Sequence, residues 1–196
     1  MSWIRTLTDR FLVSEPQKGP PRMPIDDLLA TARIPKRFQR YRLDTHPDRA
    51  AVTRLDDWDY KKNIIIGGDT GRGKTGLAIG LARKILEDDV RGVEYVSVPE
   101  MLDDMRPGSG GDDPMSRLKR RHVLILDDLG SAKPSDWVYE RLYVLINARY
   151  ESELPTIVTT NIQPESLVEA IGDRVVSRLQ EDAITLAVTG PDRRIA

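Results

Sequence analysis

Residues 64–78 read IIIGGDTGRGKTGLA. Three β-branched residues run into a glycine-rich loop, and the loop runs straight into helix-forming sequence. No other stretch confines the fold as tightly. G-x-x-x-x-G-K-T, here Gly68 to Thr75, works as a phosphate cradle only when a strand delivers it and a helix starts inside it. The glycines let the backbone curl so that successive N–H groups face inward, and the helix N-terminus adds its partial positive charge. Gly68, Asp69, Thr70, Gly71, Arg72 and Gly73 form the cradle, and Gly76 lies in the first helical turn. Lys74 supplies a point charge to the outer phosphates, and Thr75 offers a hydroxyl to Mg²⁺. The expected cofactors are ATP and Mg²⁺.

Short apolar runs recur along the chain at 63–68, 93–98, 122–128, 155–161 and 183–188. All but the second are nearly unbroken, as strands buried on both faces of a parallel sheet are. Helical patterns fill the gaps at Thr75–Asp89, Glu100–Arg106, Ser135–Tyr150 and, in two pieces, Glu165–Gln180. Such alternation predicts an α/β fold of three layers. IDDLLATARI reads as a helix ended by Pro35, and RPGSGGDDP (106–114) as a flexible loop.

Composition narrows the function classes. A chain of 196 residues with 39% hydrophobic and 31% charged residues builds one domain with room for a short appendage. Net charge is −1, so any nucleic-acid site is a local patch rather than a global field. The absence of cysteine excludes disulfides and thiolate chemistry. With only His46 and His122, a histidine metal centre is not expected. No apolar run reaches membrane-spanning length and no signal pattern opens the chain, so we expect a cytoplasmic protein without membrane contact. Residues 1–24 divide from 25–196. Trp3, Leu7 and Phe11 stripe a short helix for packing or partner docking, and a proline-rich linker follows.

Further motifs carry chemistry. HVLILDDLG drives four apolar residues into Asp127 and Asp128. Ligands of open parallel sheets sit at the carboxyl ends of the strands, so these carboxylates arrive beside the phosphate loop. Asp127 is expected to hold Mg²⁺, and Asp128 to orient or deprotonate the attacking water. PTIVTTN ends another strand in Thr159, Thr160 and Asn161, where a polar side chain can reach the γ-phosphate or that water. IPKRFQRYR interleaves Phe38 and Tyr41 with basic residues, as a solvated helix face, a nucleic-acid contact or a wall of a base pocket. MSRLKRRH gathers Arg117, Lys119, Arg120 and Arg121, either an ordinary charged helix end or a non-specific phosphate-binding patch. GDRVVSRLQ sets Arg174 and Arg178 one helical turn apart on one face. They pair with Asp173, Glu181 or Asp182, or they await an anion.

GDTGRGKTGLA, VLILDDLG, LINARYESELPTIVTTN and GDRVVSRL, in this order and spacing, resemble the AAA+ ATPases of the DnaC and IstB group. These are bacterial and phage replicative helicase loaders and transposition helper ATPases. The match spans about 25–196. The resemblance implies a P-loop NTPase of the ASCE/AAA+ type with a five-stranded parallel sheet in the order 5-1-4-3-2. It makes Asn161 the sensor of the γ-phosphate region and Arg178 an arginine finger supported by Arg174. A finger supplied to a neighbouring subunit implies a ring or open spiral. In the group, the insertion before the acidic strand faces a central channel and contacts single-stranded DNA. The function implied is a DnaC-like helicase loader that binds ATP, Mg²⁺ and single-stranded DNA, oligomerises and acts on a replicative helicase. The alternatives are an IstB-like helper delivering a transposase, or a nucleotide-gated binding module with negligible hydrolysis. Three departures stand out. Gly76 falls where members often carry histidine. Asp128 replaces the usual Glu, which predicts slow hydrolysis stimulated by a partner or by DNA. The chain ends soon after AITLAVTGPDRR, leaving no room for a full helical lid, although Arg193 and Arg194 could contact nucleotide from the tail.

Overall fold

The computed structural model describes residues 23–90, 92–108, 113–190 and 192. The stripe of Trp3, Leu7 and Phe11, and the tail arginines Arg193 and Arg194, lie outside them. Five strands form one sheet: β1 (Ile64–Gly67), β2 (Val93–Ser97), β3 (Val123–Asp127), β4 (Thr156–Thr160) and β5 (Ile184–Ala187). All pairings are parallel and the order is β2-β3-β4-β1-β5, the expected order. Four strands are shorter than their apolar runs by a residue at either end, and β2 by one residue at its end only.

Eight helices complete the described chain: α1 (Ile25–Thr31), α2 (Arg49–Asp56), α3 (Lys74–Glu87), α4 (Val98–Asp104), α5 (Met115–Lys119), α6 (Asp136–Glu151), α7 (Leu167–Ile171) and α8 (Asp173–Gln180). Side chains alternate across a strand, so the sheet feeds two cores. Ile64, Ile66, Ile125 and Ile157 join α1, α2 and α3 on one face. Ile65, Leu124, Leu126 and Val158 join the five later helices on the other. Unbroken apolar strands are what burial on both faces demands.

Several elements depart from the sequence pattern for local reasons. α1 stops at Thr31, well before Pro35, because Arg33 turns left-handed (φ 58°) and Ile34 N–H returns to Leu29 O at 3.0 Å. The basic aromatic segment after it is a single 3-10 turn, Lys36–Phe38, and not a solvated helix. α2 was not apparent from the pattern. It is only eight residues long, capped where the Asp48 side chain accepts from Ala51 N–H at 3.0 Å, with Val52 and Leu55 inward. Gly172, at φ 88°, divides α7 from α8.

α3 packs tightly under the chain leading to α2. A Cβ on Gly80 would lie 2.6 Å from Leu43 N and 2.7 Å from the Arg42 carbonyl carbon, both backbone atoms that cannot swing aside. Gly80→Ala is therefore expected to cost about 1–3 kcal/mol despite alanine's better helix propensity. Urea denaturation of the two proteins measures it.

Candidate functional site

The carboxyl ends of β1, β3 and β4 open on a cleft of about 610 Å³. The phosphate loop forms its floor. β1 ends at Gly67, the chain reverses through Gly68 to Gly73, and α3 starts at Lys74. Gly73 is left-handed (φ 94°) and no side chain caps α3. The first N–H groups of a 14-residue helix thus remain available to an anion. Gly68, at φ 143°, passes against the Val188 backbone so closely that a Cβ would collide with it. Lys74 Nζ curls back over the loop, donating to Gly68 O at 2.7 Å and Asp69 O at 2.8 Å. Arg72 and Asp69 pair across the loop at 3.4 Å. Thr70, Gly71 and Thr75 line the cleft.

Asp127 is the hub of the site. It is 4% exposed, yet three hydroxyls point at it. Thr75 Oγ1 donates to Oδ1 at 2.9 Å, Thr159 Oγ1 donates to Oδ1 at 2.6 Å, and Tyr95 OH donates to Oδ2 at 2.8 Å. Burial, and then the charge of Asp127, push the Tyr95 hydroxyl far above its ordinary range, so it stays a donor. Thr75 and Asp127 are hard oxygen donors side by side at the phosphate loop. That suits Mg²⁺, which takes one or two protein oxygens and completes its shell with phosphate and water. Among the described residues, no cluster of three or more His, Cys, Asp or Glu could hold a metal unaided.

Asp128 sits one residue on, left-handed at φ 59°, with its N–H donating to Thr159 Oγ1 at 3.0 Å. Asp and Asn enter this backbone region more readily than most residues, which suits the shorter acid to this turn. Asp128 and Asn161 both line the cleft, Asn161 exposed at the end of β4. Tyr95 and Thr159 were not singled out for Asp127 from sequence. Tyr95 reads as an ordinary strand aromatic and Thr159 as part of a polar strand end.

The opposite wall comes from residues 35–47, with Phe38, Tyr41 and His46 among its members. Tyr41 explains the glycine in the first turn of α3: a Cβ on Gly76 would lie 3.2 Å from the Tyr41 ring. The aromatic thus fills space that a larger residue at Gly76 would need.

Arg174 and Arg178 do not line this cleft. Arg178 Nε donates to Asn147 Oδ1 at 2.7 Å and Nη1 to Arg174 O at 3.1 Å. Its guanidinium lies 5.0 Å from the centre of the Tyr143 ring and 5.6 Å from that of Tyr150. Arg174 lies 5.8 Å from the Tyr143 centre. Among the described residues neither guanidinium has a carboxylate within ion-pair distance. Glu181, a neighbour in sequence, instead lies by the Tyr150 hydroxyl and holds it above its ordinary range.

The basic patch lies toward the other end of the strands, just before β3 begins. Glu94 of β2, fully buried, takes Arg117 Nε at 2.8 Å and Arg121 Nε at 2.5 Å, with Arg33 Nε at 3.6 Å. Arg120 donates to Ser116 Oγ at 2.8 Å and is exposed, while Lys119 is half-buried. Two of the four patch residues thus neutralise a buried acid through one edge of the guanidinium.

Comparison with known proteins agrees with this fold. The chain is 30% identical over 127 residues to the phage-like element PBSX protein XkdC of Bacillus subtilis (strain 168), covering 60% of this chain and 48% of that protein. It is 24% identical over 157 residues to the replicative helicase loader DnaC of Escherichia coli (strain K12), covering 73% and 62%. The chain thus spans less than two thirds of either relative. The crystal structure of the DnaC helicase loader superposes with a TM-score of 0.66 at 27% identity, covering 79% of this chain and 100% of that one. The crystal structure of DnaI gives a TM-score of 0.68 at 22% identity, covering 82% and 94%, and shows the shared fold. Residues 33–187 match the family described as IstB-like ATP binding protein. By that match and by its fold, the chain belongs to the IstB-like ATP-binding proteins, within the DnaC and IstB group of AAA+ ATPases.

Proposed function

We propose that this protein is an ATP-dependent accessory factor of DNA replication, a DnaC-like loader that assembles on single-stranded DNA and acts on a replicative helicase. The observation that carries the reading is Arg178, which rests on tyrosine faces outside its own cleft with no carboxylate partner among the described residues. An arginine held that way suits an anion on another molecule, and the phosphates in a neighbouring copy's cleft are that anion. The relationship to DnaC supports the replication role.

In this reading, the loop N–H groups and Lys74 bind the phosphates. Thr75 and Asp127 hold Mg²⁺, which when bound neutralises phosphate charge. Asp128 orients the attacking water, and Asn161 contacts the γ-phosphate region. Arg178, aided by Arg174, stabilises charge in the next subunit's transition state. The exposed edges of Arg117, Arg120 and Arg121, with Lys119, contact the DNA backbone without reading sequence.

ATP hydrolysis measured against protein concentration, with and without single-stranded DNA, tests this. Specific activity is expected to rise with concentration, and to rise further with DNA. A flat profile at every concentration, unmoved by DNA, would sink the assembling-ATPase reading.

A further inference from the structure

We infer that Tyr95 is a positioning residue for the Asp127 carboxylate, setting its plane so that Oδ1 is presented beside Thr75 for the metal. The inference rests on the ATP and Mg²⁺ reading of the cleft.

A carboxylate at a strand end turns readily about its terminal bond, because that torsion is broad and roughly two-fold. Thr75 and Thr159 both hold Oδ1, at 2.9 and 2.6 Å, but bonds to one oxygen alone resist turns of the whole planar group less than bonds to both. Tyr95 OH, at 2.8 Å, holds Oδ2 and so resists that turn. The carboxylate is then pinned from three sides, by the phosphate-loop helix, by β4 and by β2.

Strand register explains why a tyrosine does this. Ser97 lies opposite Asp127 and Tyr95 lies opposite Ile125. Tyr95 therefore starts two residues short of its target, about 6.6 Å along the strand. It projects from the same face as Ile125, and hence as Asp127, since side chains alternate. Serine or threonine could not span that gap, and phenylalanine would span it without a donor. The ring is 6% exposed and meets Phe38 edge-on, with centroids 6.3 Å apart and planes at 65°. Its aim is thus fixed by packing before any ligand arrives. Phe38 belongs to the opposite wall, so the residue that orients Asp127 is itself braced by the segment facing the nucleotide.

Tyr95→Phe in the full chain tests the inference, because it removes the hydroxyl and keeps the packing. Three quantities are compared with wild type: affinity for a fluorescent ATP analogue in EDTA, the Mg²⁺ concentration giving half of the metal-dependent gain in that affinity, and Mn²⁺ binding to the protein–nucleotide complex by electron paramagnetic resonance. Partners that orient metal-ligating side chains are commonly worth tenfold or more in metal affinity. The Mg²⁺ midpoint is expected to rise about tenfold, and Mn²⁺ affinity to fall in parallel, with the affinity in EDTA changed by less than about twofold. Unchanged metal midpoints would overturn the inference. So would an equal loss of binding in EDTA, which would make Tyr95 a structural support of the whole cleft. If wild-type binding ignores Mg²⁺ altogether, the metal reading of Thr75 and Asp127 falls, and the role of Tyr95 falls with it.

Discussion

Replacing Arg178 with alanine is expected to lower ATP turnover about a thousandfold under assembling conditions while leaving ATP affinity within about twofold. Arginines that reach a transferring phosphoryl group are worth about 10³–10⁵ in rate, and the lower end suits the slow hydrolysis expected if the short Asp128 orients the water. Affinity is spared because the guanidinium lies outside its own chain's cleft. The side chain is also built for presentation. Asn147 and the Arg174 carbonyl hold Nε and Nη1, and the rings of Tyr143 and Tyr150 support the guanidinium. Among the described residues Nη2 has no hydrogen-bond partner, which leaves it open to the proposed phosphate contact. Mixing supplies the decisive check. Arg178→Ala chains keep an intact cleft and Lys74→Ala chains keep an intact finger, so a mixture is expected to regain activity that neither has alone. If Arg178→Ala hydrolyses ATP like wild type, the arginine serves only to join α8 to α6.

The second large effect concerns stability. Arg149→Ala is expected to cost at least about 4 kcal/mol, a large share of the 5–15 kcal/mol that holds an ordinary domain together. Arg149 is 1% exposed. Its Nε donates to Thr156 Oγ1 at 2.9 Å, Nη1 to Leu118 O at 2.9 Å and Arg121 O at 2.7 Å, and Nη2 to Pro155 O at 2.6 Å. One side chain thus ties the end of α5, the entry to β3 and the start of β4 to α6. Burial pulls its pKa down to about 9, which still leaves it charged at neutral pH. Truncation strands buried acceptors at about 1–3 kcal/mol each and opens a cavity as well. Lysine is expected to recover only part of the loss, since an ammonium cannot match a planar fork of donors. Urea denaturation of wild type, Arg149→Ala and Arg149→Lys measures both statements.

Arg149 also marks a limit of reading along the chain. In LINARYE it resembles any other helical arginine, and nothing local shows that it faces inward. Glu94 is the same case: a charged residue in a strand pattern suggests an exposed position, yet it is fully buried under three arginines from two other segments. Conversely, Arg117 and Arg121 read as a free basic patch because the acid they neutralise lies more than twenty positions earlier.

What the sequence determined by itself was whatever neighbouring residues encode. The order of β1, the phosphate loop and α3 follows from glycines and a lysine at fixed offsets, and the two-faced sheet from apolar runs that are nearly unbroken in all but the second. Asp127 and Asp128 were placed by the strand they end. Tertiary structure alone decided what touches Asp127. Tyr95 and Thr159 each lie 32 residues from it, and Arg178 lies 31 from Asn147. Such contacts depend on the register of parallel strands and on how helices seat against them. Hydrogen bonds weaken steeply once their angle closes below about 120°. Local periodicity carries the direction in which a side chain leaves the backbone, but not the distance at which another segment arrives to meet it.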